Sequence, residues 1–207
     1  MSRRALLIAG ALVVAASATA AAVLSARGGP ATGPAAGEYR GSEPPPRIRA
    51  PDFTLPSYRG GVVAMKAQRG KVVLLSFVDS HCTESCPIVA SAMAAALRQL
   101  TADERRHVVP ILITVQPKLD TPRSIRRFLR ARNALALDYL VGPVSRLRPV
   151  WKAYGIVPAV DTGSADIHSS DVRVFGRDGI WVSTQHAGVD LSPANLAHDT
   201  RTALELS

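Results

Sequence analysis

The apolar positions of this chain fall into short blocks whose spacing alternates between strand and helix. Residues 71–78 (Lys-Val-Val-Leu-Leu-Ser-Phe-Val) are a continuous apolar run of strand length, the pattern of a strand covered on both faces. Residues 87–100 follow with Ile88, Ala92, Ala95, Ala96 and Leu100 at helical spacing, and residues 107–115 form a second buried-type strand. Asp120-Thr121-Pro122 opens a helix to Arg132, with Thr121 as N-cap and Pro122 at the first helical position. A short strand at 139–141 and a helix over 145–154 come next. Residues 172–175 and 181–184 flank Gly176-Arg-Asp-Gly179, a hairpin turn signature, and Ser192-Pro193 caps a final helix to Leu206. The predicted order is β-α-β-α-β-α-β-β-α, a central mixed sheet flanked by helices in an α/β fold.

Ahead of this unit the pattern changes. Residues 5–24 carry no charge, and about 20 apolar residues are enough to cross a bilayer as a helix. Arg3 and Arg4 precede the run, which places the N-terminus in the cytoplasm and the remainder outside. A cleaved signal peptide is the rival reading, because Ala16-Ser17-Ala18 and Ala18-Thr19-Ala20 are small-x-small cleavage patterns. Under either reading the main body is exported to the extracytoplasmic (periplasmic) side. Residues 25–50, rich in Gly, Pro and Ala, are expected to be a spacer, because such a composition buries too little apolar surface to fold. Three segments result: an anchor or signal helix at 1–24, a linker at 25–50, and a folded domain at 51–207.

Composition narrows the function. Of the 207 residues 47% are hydrophobic and 20% charged, which excludes disordered and fibrous classes. Basic residues outnumber acidic ones 25 to 16, giving +9, but the excess is not gathered into a stripe with interleaved aromatics, so no nucleic-acid partner is expected. The two cysteines exclude a disulfide scaffold and any four-cysteine metal cage built by one chain.

Those cysteines form the densest chemical motif, His81-Cys82-Thr83-Glu84-Ser85-Cys86-Pro87, where the first long strand meets the next helix. Open α/β sheets place their sites at such junctions. Pro87 is expected to start the helix, leaving Cys86 at its N-terminus, where the dipole favours thiolate. The spacing lets both sulfurs form a disulfide or grip one metal ion. A purely structural bridge is the bland alternative in an exported protein, but closing so small a loop stabilises little.

Five histidines could supply a third ligand. His107 and His198 read as surface residues, His186 follows the hairpin, and His81 adjoins Cys82, although neighbouring positions rarely both face one ion. His168 differs: it sits in the polar stretch Asp166-Ile-His-Ser-Ser170, just before the strand at 172–175. In a thioredoxin-like sheet that loop faces the cysteine-bearing one. Two thiolates and one imidazole suit Cu(I) and leave structural zinc one ligand short.

Taken in order, these segments resemble the SCO/SenC family of thioredoxin-like, copper-binding proteins that help assemble the dinuclear copper centre of cytochrome c oxidase. The likeness covers nearly all of 51–207: Asp52-Phe53-Thr54-Leu55, the strand before Cys82-x-x-x-Cys86-Pro87, Thr114-Val-Gln-Pro-Lys-Leu-Asp-Thr-Pro122, Val150-Trp-Lys-Ala-Tyr-Gly155, His168-Ser169, and the Asp178-Gly179 hairpin. It implies a thioredoxin-like fold with Cys82, Cys86 and His168 as copper ligands and Cys82/Cys86 as a redox-active disulfide. Copper is the implied cofactor, as Cu(I), with Cu(II) left open. The implied partners are a copper-accepting oxidase subunit or another copper chaperone, the membrane, and a thiol–disulfide reductant. Gln116 stands where the family has Asp in V-D-P, and residues 156–166 lack the usual pattern.

The leading expectation is a metallochaperone without catalytic turnover. The alternative is an enzyme, a membrane-tethered thiol–disulfide oxidoreductase, against which stand the three-residue spacing and the lack of proline at 168–171. A peroxidase is a third reading. Thr83-x-x-Cys86 fits half of P-x-x-x-T-x-x-C, but Asp79 holds the proline position.

Overall fold

The computed structural model describes residues 38–162 and 170–206. Strand β3 (Val72–Val78) is buried along its whole length, and every neighbour is placed by it. It pairs in parallel with β4 (Val108–Thr114), which pairs in parallel with β5 (Asp138–Leu140). On its other edge it meets β6 (Asp171–Phe175) antiparallel, and β6 pairs antiparallel with β7 (Trp181–His186). The five-stranded order is therefore β5-β4-β3-β6-β7, a mixed sheet.

Because successive strand residues face opposite ways, β3 feeds two cores. Val72, Leu74 and Val78 pack with helix α1 (Ser85–Gln99), helix α3 (Pro122–Arg130) and helix α6 (Pro193–Leu206). Val73, Leu75 and Phe77 pack on the opposite face with helix α4 (Val144–Ala153). There Trp151, 1% exposed, donates its indole N–H to the Thr114 carbonyl at 2.9 Å. The expected helix–sheet–helix arrangement is the one observed.

Local signals account for the boundaries. Thr121 caps α3 in a reciprocal box, accepting from the Ser124 N–H at 3.1 Å while Ser124 Oγ accepts from the Thr121 N–H at 2.9 Å. In the β6–β7 turn Gly179 has φ +77°, and a Cβ there would lie 1.0 Å from the Arg69 guanidinium. Strand β1 (Thr54–Pro56) falls at the Asp52–Leu55 segment that the resemblance implies as an opening strand. Four elements add to the expected set: strand β2 (Val62–Ala64), paired antiparallel with β1, a 3-10 helix (Met65–Gln68), and short helices α2 (Ala102–Arg106) and α5 (Ala159–Thr162).

Two expectations need correction. Helix α1 begins at Ser85 rather than at Pro87. A proline is tolerated throughout the first turn, where its missing N–H would have had no helical partner. The end of the expected spacer is also not a spacer. Ser42 bridges to Thr184 and Arg49 to Ile180, extending the sheet beyond β7, and Ala50 is buried. Buried Asp199 of α6 fastens this segment, accepting from the Arg40 and Gly41 N–H groups at 2.7 and 3.0 Å and from the Ser183 hydroxyl at 2.6 Å. Hydrogen bonds to a distant carboxylate and bridges to the sheet, with Tyr39 and Ala50 packed on the cores, hold residues 38–50, so composition did not reveal them.

No helix among the described residues is long and apolar enough to cross a membrane. The apolar run at 5–24, read above as an anchor or signal helix, lies outside the described residues.

Candidate metal centre

At the end of β3 the chain leaves the sheet through Asp79 and turns back into α1 within a few residues. The Cys82 N–H donates to the Asp79 carbonyl at 3.3 Å, and the His81 N–H donates to Asp79 Oδ1 at 2.7 Å. This turn folds Cys82 over the start of α1, whose N-cap residue, Glu84, provides no side-chain cap. The Cys82 sulfur takes that place. It accepts from the Cys86 thiol, from the Cys86 and Glu84 N–H groups and from the Ser85 hydroxyl. Both cysteines are thiols in this structure, and both are buried, Cys82 at 5% exposure and Cys86 at 1%.

The two sulfurs are electrostatically unequal, in the opposite sense to the expectation. The hydrogen bond from Cys86 lowers the Cys82 thiol to about 6, with the backbone donors of the helix start adding to this against the cost of burial. Cys86 donates that bond, which raises its own thiol, and burial raises it further. Cys86 lies inside the first turn and accepts from the Asp79 N–H, 3.5 Å away. Cys82 is therefore the more acidic thiol of the pair, and Cys86 the one that holds its proton. The guanidinium of Arg132 interacts electrostatically with both sulfurs. It stacks on Phe128 at 4.2 Å, donates to the Phe128 carbonyl at 2.8 Å, and leaves its buried Nε without a hydrogen-bond partner.

The pH dependence follows directly. Iodoacetamide should label Cys82 at a rate that climbs through pH 6 and levels off by pH 7–8, because the thiolate carries the reactivity. A rate still rising toward the ordinary thiol value of 9.0 would contradict the arrangement.

A second polar layer braces the turn. Asp120 is buried beneath it and accepts from the Ser80 N–H at 3.0 Å, the Thr114 hydroxyl at 2.6 Å and the Tyr139 hydroxyl at 2.6 Å. One carboxylate thus ties β4, β5 and the cysteine turn together. Burial pushes the Asp79 carboxyl up, and the negative charge of Asp120 adds to this, while the His81 N–H works against it. The His81 ring nitrogen Nδ1 stands 3.5 Å from Asp79 Oδ1 and 3.8 Å from Asp120 Oδ1, with its side chain 44% exposed. The potential ligand atoms of these three residues lie within 4.8 Å of one another.

Of the expected site residues, the structure brings Cys82 and Cys86 together. His168 lies outside the described residues. The described chain resumes at Ser170, next to Asp171, whose carbonyl accepts from the Ser76 hydroxyl of β3 at 2.6 Å. Because β6 runs antiparallel to β3, this end of β6 lies beside the end of β3 that delivers the cysteines. His186 ends β7 3.9 Å from Asp190, His107 lies 3.1 Å from the Asp103 carbonyl, and His198 lies 2.9 Å from the Glu38 carbonyl. Sequence reasoning did not place Asp79, Tyr139 or Arg132 at the site. Asp79 had a readable signal, a charge closing an otherwise apolar strand, whereas Tyr139 and Arg132 arrive only through the tertiary fold.

Comparison with known proteins decides the family. The SCO1/SenC family matches residues 42–205. This chain belongs to the SCO1/SenC family. It is 31% identical over 139 residues to a putative copper-binding protein of Stutzerimonas stutzeri, covering 65% of this chain and 68% of that protein. To the mitochondrial protein SCO2 homolog of Homo sapiens it is 32% identical over 156 residues, covering 72% of this chain and 58% of that one. The match thus takes in about two thirds of the bacterial relative and less of the human one. Among solved structures, ScoI of Bradyrhizobium japonicum with copper bound superposes with a TM-score of 0.63 at 26% identity, covering 76% of this chain and 100% of that one. BsSco, of the Sco family of cytochrome c oxidase assembly proteins, gives a TM-score of 0.66 at 22% identity over 80% of this chain and 99% of its own. The fold is the α/β, thioredoxin-like fold of the Sco proteins.

Proposed function

We propose that this SCO1/SenC protein binds copper as Cu(I) through Cys82, Cys86 and His168 and passes it to a copper site during cytochrome c oxidase assembly. One observation carries the reading: two buried sulfurs meet at the start of α1, where backbone N–H groups and the neighbouring thiol favour the Cys82 thiolate. Soft sulfur donors with an imidazole form a low-coordinate set that favours Cu(I). Cys82 offers its charge ready-made, and Cys86 gives up its proton as the metal enters. His168 is two residues before Ser170 in the sequence, and the start of β6 that follows lies beside the end of β3 that delivers the cysteines, which supports it as third ligand. The copper-bound relative from Bradyrhizobium japonicum supports the cargo. Arg3, Arg4 and the apolar run at 5–24 support a membrane-tethered domain on the extracytoplasmic side.

The test is stoichiometry against redox state. Reduced protein should take up one Cu(I) per chain under anaerobic conditions, and protein with Cys82 and Cys86 joined as a disulfide should take up none. Equal uptake by both forms would remove the thiolates from the ligand set.

The inequality of the two thiols favours a second reading, a thiol–disulfide reductant. The Cys82 thiolate would attack a partner disulfide, expel one partner thiol and form a mixed disulfide, which Cys86 would resolve to a Cys82–Cys86 bond and a second partner thiol. Copper-independent turnover of a model disulfide, with a thiol reductant resupplying the electrons, would support it. Its absence leaves metal binding as the function.

A further inference from the structure

Helix α3 carries Arg123, Arg126, Arg127 and Arg130 at i, i+3, i+4 and i+7, so all four share one face, and all four are exposed. The opposite face buries Ile125, Phe128 and Leu129 in the core. Four of the chain's 25 basic residues are therefore gathered on one face. Elsewhere on the domain Arg148, Arg106 and Arg201 pair with Asp161, Asp103 and Glu104, whereas other exposed arginines without an ion pair among the described residues, such as Arg47, Arg98 and Arg146, stand on different segments and are not grouped on one helix face. None of the four on α3 forms an ion pair among the described residues. Like charges at this spacing destabilise a helix, and an acidic surface meeting this face would relieve the repulsion.

The position of the face is as telling as its charge. The four arginines line a groove of about 690 Å³ together with Pro122 and Ala131. Arg127 and Ala131 also line a neighbouring groove of about 350 Å³, whose other walls include Ser80, His81 and Arg132. The arginine face thus runs into a groove walled by Ser80 and His81, on the turn that carries Cys82.

We propose that this face docks an acidic segment of the protein that exchanges copper or electrons with Cys82. Any such partner must cover the mouth beside His81, and carboxylates on its rim would meet the arginines as it did so. Exposed complementary charges of this kind act chiefly on the association rate and its salt dependence. A bilayer resting on this face would close the mouth to a protein partner. A single-stranded nucleic acid would want exposed rings to stack on, and Phe128, the aromatic of this helix, is buried.

The proposal rests on Cys82 as the exchange site, but its test needs no copper, so the two can fail separately. The full chain, reduced and in nonionic detergent, is titrated with a fluorescein-labelled oligoglutamate peptide and followed by anisotropy. The double variant Arg126→Gln/Arg127→Gln is compared with Arg47→Gln/Arg146→Gln, which removes the same charge from exposed positions elsewhere. The α3 variant should bind about tenfold more weakly, the loss of two exposed ion pairs, and the comparison variant should match wild type. Bound peptide should also slow iodoacetamide labelling of Cys82 in wild type. Equal weakening in both variants, or no shielding of Cys82, would overturn the proposal. Slower labelling on reconstitution into phosphatidylglycerol rather than phosphatidylcholine bilayers, without peptide, would assign the face to lipid and overturn it as well.

Discussion

Replacing Cys82 by serine should abolish Cu(I) binding while leaving the domain folded. A serine oxygen can accept the same backbone and hydroxyl donors at the start of α1 that the sulfur accepts now, so the turn keeps its cap. It is, however, a hard, protonated donor at neutral pH, and Cu(I) favours soft thiolate. Changes outside the coordination sphere already cost roughly 10–100-fold in metal affinity, and removing the one preformed thiolate should cost more than that. Competition with a Cu(I) chelator measures the loss, and a thermal melt of the metal-free variant checks that the fold survives. Near-wild-type affinity in Cys82→Ser would place the copper elsewhere.

The second large effect is on stability. Asp120→Ala should destabilise the metal-free domain by about 3 kcal/mol, because it strands buried donors rather than removing one contact. The Thr114 hydroxyl and the Ser80 N–H lose the acceptors they have now, and the Tyr139 hydroxyl is left with the Val78 carbonyl 3.2 Å away. Burial holds the Tyr139 phenol well above its ordinary value, so it cannot adapt by ionising. Asp120→Asn keeps the shape and one acceptor oxygen, and should cost about 1 kcal/mol. Urea unfolding of both variants measures the difference. Hydrogen exchange at the Ser80 amide should quicken first, since the cysteine turn is the least supported of the three elements Asp120 joins. An Asp120→Ala domain as stable as wild type would mean that the layer beneath the cysteines does not hold them.

Elements with a local signal were legible in the sequence: β3 and β4 as unbroken apolar runs, α3 from its Thr121-Pro122 start, and the β6–β7 hairpin from its paired glycines. Where structure depends on distant residues the sequence was silent. Strand β1 was legible only through the resemblance at Asp52–Leu55, β2 is too short to show periodicity, and residues 38–50 are held by β7 and Asp199, far along the chain. Helix α2 did carry a signal, the Thr101-x-x-Glu104 capping box, closed in the structure by the Thr101 N–H and Glu104 Oε2 at 2.6 Å. At the site, the cysteine pair and its place after β3 were readable from spacing alone. Which cysteine is the more acidic was not, because Pro87 sits in the first turn rather than at the start of α1, and this two-residue shift exchanges the two roles.

The central claim is that Cys82, Cys86 and His168 form one copper site, and its most direct test is a competitive anaerobic Cu(I) titration. Reduced full chain, His168→Ala and Cys86→Ser are run side by side against the same chelator, with disulfide formation followed in the wild type and the histidine variant. Wild type should bind one Cu(I) tightly, both variants should bind more weakly by well over tenfold, and His168→Ala should still form its disulfide. Unchanged affinity in His168→Ala would contradict the three-ligand site, and no competitive binding by wild type would leave the cysteine pair as a thiol–disulfide reductant.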